Sequence, residues 1–279
     1  MVVRIVTDST CDLPSEVVAR YRISVIPLWI NVGSKGYLDG VDITREEFYT
    51  RLPEFNPQPT TAVPGTDVFS QVYKQLLAEG ATQILSIHIS EKLSAITRIA
   101  HTAAESMSGI PIEVLDSRQL SLGTGFLVET AARMAEEGFT LEEILPAMEN
   151  QITRTHVFAA LDTVEFLQRS GRMNFALASL VSLLHIKPLL KMYEGNPTSE
   201  RVCTSGKAMN RLLALLNEVS PVEKAALVHT HAPEKAEALR QRAAHLLPLG
   251  EIPSVDITPV IGAHIGPGAV GFACVSRKR

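Results

Sequence analysis

Short apolar runs alternate along the chain with longer stretches in which apolar residues return every three or four positions. The first pattern suits a strand buried in a sheet and the second an amphipathic helix, so their alternation predicts an α/β fold. Val3–Thr7 reads as a first strand, stopped by Asp8-Ser9-Thr10, with a helix from about Pro14. Ser24–Val32 reads as a second strand. Thr44 and Glu47 have capping-box spacing and open a helix that ends near Pro53. A polar, proline-rich loop runs from Pro53 to Pro64, and Thr66 can cap the helix after it. Gln83–His88 and Ile112–Leu115 are strand-like, with a helix over roughly Ser94 to Met107 between them. From Leu120 a helix runs to Gly138, and a second capping box, Thr140 with Glu143, starts another.

A helix-to-strand connection near 150–156 is the expected boundary between two α/β lobes, 1–153 and 154–279. Beyond it, Val157–Leu161 is a strand, and Thr163 caps a short helix ended by Ser170-Gly171. An apolar stretch at 174–185 follows, then a strand-like Ile186–Tyr193 and a turn at Gly195-Asn196-Pro197. Further strands are expected at Ala225–Thr230, Ser254–Ile261 and Gly271–Val275, with helices at about 206–219 and 233–247.

Composition narrows the function classes. Hydrophobic residues make up 46% and charged residues 20%, which is globular and not disordered. The net charge of -4 offers no basic field for a phosphate backbone, so nucleic acid is not an expected partner. Cys11, Cys203 and Cys274 are far apart and form no CxxC pair, which reads as three buried small hydrophobes in a reducing compartment. Arg4 and Asp8 interrupt the amino terminus too early for a signal peptide. The stretch from Ala176 to Leu190 is short for a membrane span and carries His185, Lys187 and Pro188. The expectation is a cytoplasmic protein without an integral membrane segment.

Candidate chemistry gathers where first-half strands end, at Asp8-Ser9-Thr10, Ser90 to Ser94 and Asp116-Ser117. Open parallel sheets bind ligands at the carboxyl ends of their strands. Helix capping accounts for most of these residues, Asp12 and Asp116-Ser117 included. Ser94 lies near a helix start, where free N–H groups and the dipole favour a negative group. Thr61 stands between Pro59 and Pro64 on a stiffened backbone. Two neutral hydroxyls suit a monoanion such as a carboxylate, whereas a phosphate would attract Arg or Lys as well; capping alone is the other account of both. His264 sits among Gly262, Gly266, Gly268 and Gly271, so it either bonds a ligand or holds a tightly turning loop. The stretch with Phe175, Leu180 and Leu184 is either a buried core helix or the wall of an apolar tunnel.

Enzyme signatures are missing. Ser94 lies in no GxSxG elbow, no GxGxxG follows the first strand, and neither a Walker loop nor HExxH occurs. His229-Thr230-His231 puts two rings on one strand face without an obvious third ligand, so no metal is expected.

An ordered set of short motifs then carries a resemblance. Val6-Thr7-Asp8-Ser9-Thr10-Cys11-Asp12-Leu13-Pro14 resembles the opening signature of the DegV proteins, fatty-acid-binding subunits of bacterial fatty acid kinase. The likeness continues through Pro59-Thr60-Thr61, Ile87-His88-Ile89-Ser90 with Leu93-Ser94, and Leu115-Asp116-Ser117. Leu167-Gln168-Arg169-Ser170-Gly171-Arg172, Lys187-Pro188 and His264-Ile265-Gly266-Pro267-Gly268 complete it across nearly the whole chain. The resemblance implies a two-lobed α/β carrier of one long-chain fatty acid, such as palmitate or oleate, with no cofactor and no catalytic residue. It implies a carboxylate held at the lobe interface by Thr61 and Ser94, with His264 nearby and an acyl tunnel in the second lobe. It also implies a partner kinase. The sequence departs from the family at Ala62, at Ala95-Ile96-Thr97, at Ser170, and in the reduced basic run Cys203-Thr204-Ser205-Gly206-Lys207. The alternatives are a small-molecule hydrolase acting at Ser94 and His264, or a scaffold whose tunnel is only core.

Overall fold

A computed structural model of the chain describes residues 2–171 and 187–277; the stretch with Phe175, Leu180 and Leu184 lies outside them. Strand β1 (Val3–Asp8) has five of its six residues buried, which is why apolar residues dominate it on both faces. It lies in a parallel sheet ordered β2-β1-β6-β7, with β2 (Ser24–Ile26), β6 (Gln83–His88) and β7 (Ile112–Asp116). Helices Thr66–Ala78 and Ile96–Glu105 bury Phe69, Tyr73, Ile96 and Ala100 in one cluster with Val6 and Ile84. Helices Leu122–Glu136 and Leu141–Ile152 pack Phe126, Leu127 and Ile144 with Leu85 and Ile87.

A six-stranded mixed sheet occupies the second half, ordered β10-β9-β8-β13-β11-β12. Its members are β8 (Thr155–Ala160), β9 (Lys187–Tyr193), β10 (Asn196–Val202), β11 (Val222–His229), β12 (Ser254–Asp256) and β13 (Val270–Ser276). One face buries Phe158, Leu189 and Phe272 under helices Ser205–Glu218 and Pro233–Ala243. The other face, through Val157, Met192, Val228 and Ala273, joins the cluster of Leu85, Ile87 and Phe126. One apolar core therefore runs between the two sheets.

Three expectations need correction. Ser24–Val32 is not one strand: it breaks at Pro27-Leu28 into β2 and β3 (Trp29–Val32). Proline has no N–H for the ladder, and β3 joins a small antiparallel sheet with β4 (Lys35–Leu38) and β5 (Thr60–Ala62). Strand β5 in turn lies inside the segment read as a plain loop. Ser254–Ile261 is strand only to Asp256, after which Pro259 opens helix Pro259–Ile265. That helix is buried on nearly every side, so no polar face gives it a helical period. The two caps do form: Thr44 accepts from the Glu47 N–H at 3.1 Å, and Thr140 with Glu143 makes a complete capping box.

Candidate functional site

The space between the sheets is not filled. A cavity of about 780 Å³ lies there, walled by Leu28, Ile89 and Leu120 on one side and by Val157, Ala159, Leu190, Met192 and Val228 of the large sheet on the other. Thr61, Ser94 and His264 all border it. The fold thus brings to one cavity three residues that the sequence spreads over more than two-thirds of its length.

Each is held by its own local device. Thr61 is the central residue of β5, paired with Ile30 of β3. Ser94 follows a turn in which the Ser90 carbonyl accepts from the Leu93 and Ser94 N–H groups at 2.9 and 3.1 Å. Its hydroxyl oxygen accepts from the Ile96 N–H at 3.3 Å, at the start of helix Ile96–Glu105. That bond uses an oxygen lone pair and leaves the hydroxyl hydrogen for another acceptor. His264 lies in the last turn of helix Pro259–Ile265, not in a glycine loop, and Gly266 ends the helix with φ 73°. Thr61 Oγ1 and His264 Nε2 are 2.9 Å apart. When Nε2 carries the proton it donates to the threonine, whose own hydrogen is then left for a ligand oxygen.

Behind the cavity, Tyr73 donates to Ser86 at 2.9 Å, Ser86 lies 2.7 Å from His88 Nε2, and His88 Nδ1 lies 2.9 Å from Asp8. Asp8 also accepts from the Ile89 N–H at 3.2 Å and from the backbone and hydroxyl of Thr10. Ser86, His88 and Asp8 stand in the order of a hydrolytic triad, but all three are fully buried and none borders the cavity. A substrate cannot reach that serine, and the chain braces the strand ends instead.

A second polar cluster was missed by sequence reasoning. Asp12 is not a helix cap: it is buried and lies 3.1 Å from Arg45 Nη2. It accepts from Ser121 Oγ at 2.6 Å and from the Thr258 N–H at 2.8 Å. Asp39 accepts from the Thr258 hydroxyl, Arg45 donates to the Asp256 carbonyl, and Tyr49 donates to the Ile257 carbonyl at 2.9 Å. Burial pushes Asp12 up to about 6 against the pull of Arg45, Ser121 and Thr258, and burial likewise raises Asp39. No local motif announces this pairing, because its partners come from segments far apart in the chain, around residues 12, 39–49, 121 and 256–258.

Other candidates resolve simply. Cys11 and Cys274 are buried, and burial pushes both thiols up to about 12; Cys203 is exposed, against the expectation of three buried cysteines. His231 leaves the strand with φ 51°, so it and His229 approach Asp256 at 4.0 and 3.5 Å without a shared strand face. Among the described residues no group of three or more His, Cys, Asp or Glu could hold a metal, and no helix is long and apolar enough to cross a membrane.

Comparison with known proteins covers almost the whole chain. A family model described as uncharacterised protein, DegV family, matches residues 2–277. A DegV domain-containing protein of Streptomyces coelicolor is 34% identical over 280 residues, spanning 99% of each chain. The structure of a Thermus thermophilus DegV family protein, described by its fatty acid binding, superposes with a TM-score of 0.90 at 34% identity, covering 99% of this chain and 100% of that one. The Bacillus subtilis DegV structure, described as a fatty acid binding protein, gives a TM-score of 0.90 at 27% identity, with 99% and 100% covered.

Proposed function

The chain belongs to the DegV family, and from that premise we propose that it encloses one long-chain fatty acid, such as palmitate or oleate, and carries or presents it. The observation that carries this reading is one apolar cavity of about 780 Å³ whose polar lining includes Thr61, Ser94 and His264. That volume lies in the range of about 300–1,000 Å³ usual for small-molecule sites. In this reading Thr61 and Ser94 donate to the carboxylate, with His264 orienting Thr61. The acyl chain lies along Leu120, Val157, Ala159 and Met192. Burying some fifteen methylenes at ~0.8 kcal/mol each offsets the cost of confining the chain.

The reading extends to the rest of the protein. The chain divides into lobes at 153/154 with the ligand between them. It works in the cytoplasm as a carrier without catalytic residues or cofactor and hands its cargo to a partner fatty acid kinase. The docking surface for that kinase includes the exposed run Cys203–Lys207, which holds one basic residue.

The test is direct. Protein made in bacteria is denatured, extracted with organic solvent and analysed by mass spectrometry; about one fatty acid per chain is expected. No lipid in the extract, together with no binding of added palmitate or oleate, would overturn the carrier. Turnover of ester substrates that is lost in Ser94→Ala would establish the hydrolase in its place.

A further inference from the structure

Arg98 borders the same cavity as Ser94 and Ala95 and is exposed to solvent. It lies in the first turn of helix Ile96–Glu105, where the dipole disfavours a cation. Among the described residues it forms no ion pair. Among the other described basic residues that border the cavity, Lys191 is ion-paired with Glu200 at 2.6 Å, and Lys92 donates to the neutral Asn196 Oδ1 at 2.9 Å, which holds its ammonium beside β10 without cancelling its charge. Glu91 is an anion on the same rim. The hydroxyls of Thr61 and Ser94 can supply hydrogen bonds but no net positive charge. An ionised head group entering this cavity would lose water, and among the described residues Arg98 is the bordering cation with neither an ion pair nor a side-chain hydrogen bond to hold it elsewhere.

We propose that Arg98 is the counter-charge for the head group, a specificity residue that makes the cavity prefer an ionised acid over a neutral lipid of equal length. The inference rests on the fatty-acid reading and adds to it the electrostatic part of head-group selection. An exposed guanidinium acts through a screened field, so the effect is modest, sensitive to salt, and retained by any side chain that keeps the charge. A residue that merely shaped the rim would show none of these three properties.

The experiment compares wild type, Arg98→Gln and Arg98→Lys with palmitate and 1-hexadecanol, each after delipidation. Affinities are measured at about 20 mM and about 500 mM salt, which span strong and weak screening. Arg98→Gln should weaken palmitate about threefold to fivefold at low salt and hardly at all at high salt, as an exposed charge pair does. Hexadecanol should change less than about twofold, and Arg98→Lys should restore most of the loss for the acid. Equal losses for acid and alcohol, an unchanged acid affinity in Arg98→Gln, or no recovery in Arg98→Lys would overturn the role of Arg98 and leave the carrier standing. A wild-type protein that binds neither lipid would overturn both.

Discussion

At the amino end of helix Pro259–Ile265 two buried carboxyl groups and a half-buried arginine are bonded to the chain around them; at its carboxyl end a histidine and a threonine hydroxyl meet on the border of a cavity. Asp12, Asp39, Arg45 and Tyr49 grip Thr258, Asp256 and Ile257, so the chain entering the helix has few ways to move. At the other end of the same helix, His264 meets Thr61 at 2.9 Å on the border of the cavity. The difference teaches what each end is for. Buried charges at the first end fix where the helix starts, and a rigid two-turn helix carries that fixity to His264. At the second end the Thr61 and Ser94 hydroxyls border the cavity, where a ligand can reach them. A charge-rich cluster at the cavity would be satisfied by itself and would hold its ligand less selectively.

Breaking the gripped end should cost the most. Asp12→Ala removes the acceptor shared by Arg45, Ser121 and the Thr258 N–H, and should lower stability by about 3–5 kcal/mol in urea unfolding. Asp12→Asn tests the charge alone. Burial raises Asp12 from 3.8 to about 6, so the folded protein holds this proton more tightly than the unfolded chain does. The stability it contributes is complete below about pH 4 and is lost as pH rises through about 6. The stability of wild type relative to Asp12→Asn should therefore fall by roughly 3 kcal/mol between pH 3 and pH 7, at about 1.36 kcal/mol for each unit by which the group is raised. A pH-independent difference would mean that Arg45 keeps the carboxylate ionised throughout.

The cavity end should respond in affinity and not in stability. Thr61→Val or Ser94→Ala removes one donor to a charged oxygen, about 1.5–3 kcal/mol, so palmitate should bind roughly tenfold to a hundredfold less tightly. Unfolding free energy should change by less than about 1 kcal/mol, since both hydroxyls lie at a cavity edge. A fatty alcohol of equal length should be nearly indifferent. If instead either substitution unfolds the protein as Asp12→Ala is expected to, the contrast between the two ends collapses.

The same contrast marks what could be read in the sequence. Strands β1, β6, β8, β11 and β13 were legible because burial on a sheet writes apolar runs into the chain. Strand β10 was not: Asn196-Pro197-Thr198-Ser199-Glu200-Arg201-Val202 is a polar strand that pairs, among the described residues, with β9 alone. Helix Pro259–Ile265 was hidden for the opposite reason, since an apolar segment buried all round has no period to read. At the cavity, Thr61, Ser94 and His264 were legible through ordered motifs. Arg98 was not, because a cation on a helix is ordinary until the fold places it on a cavity wall without an ion-pair partner among the described residues. The Asp12 cluster was illegible because its members meet only in three dimensions.

The smallest effect joins the two ends. Gly262 lies midway along the helix, and a side-chain carbon there would overlap the Tyr49 hydroxyl and sit 2.7 Å from its Cζ. Its backbone has no left-handed φ, so space and not conformation demands glycine. Gly262→Ala should thus be destabilising by about 1–3 kcal/mol through crowding, less the ~1 kcal/mol by which alanine favours a helix. Tyr49→Phe removes the nearest atom of the clash but also deprives the Ile257 carbonyl of its donor, at about 1 kcal/mol. Were the two sites independent, the double variant would lose the sum. Because the hydroxyl that grips Ile257 is also the atom that excludes a side chain from residue 262, the double variant should lose about 0.5–1 kcal/mol less than the sum. Full recovery is not expected, since Cζ stays within 3 Å of the new carbon. Strict additivity would show that Gly262 and the Ile257 grip do not share Tyr49, and that the entry of the helix is fixed without reference to the face that carries His264.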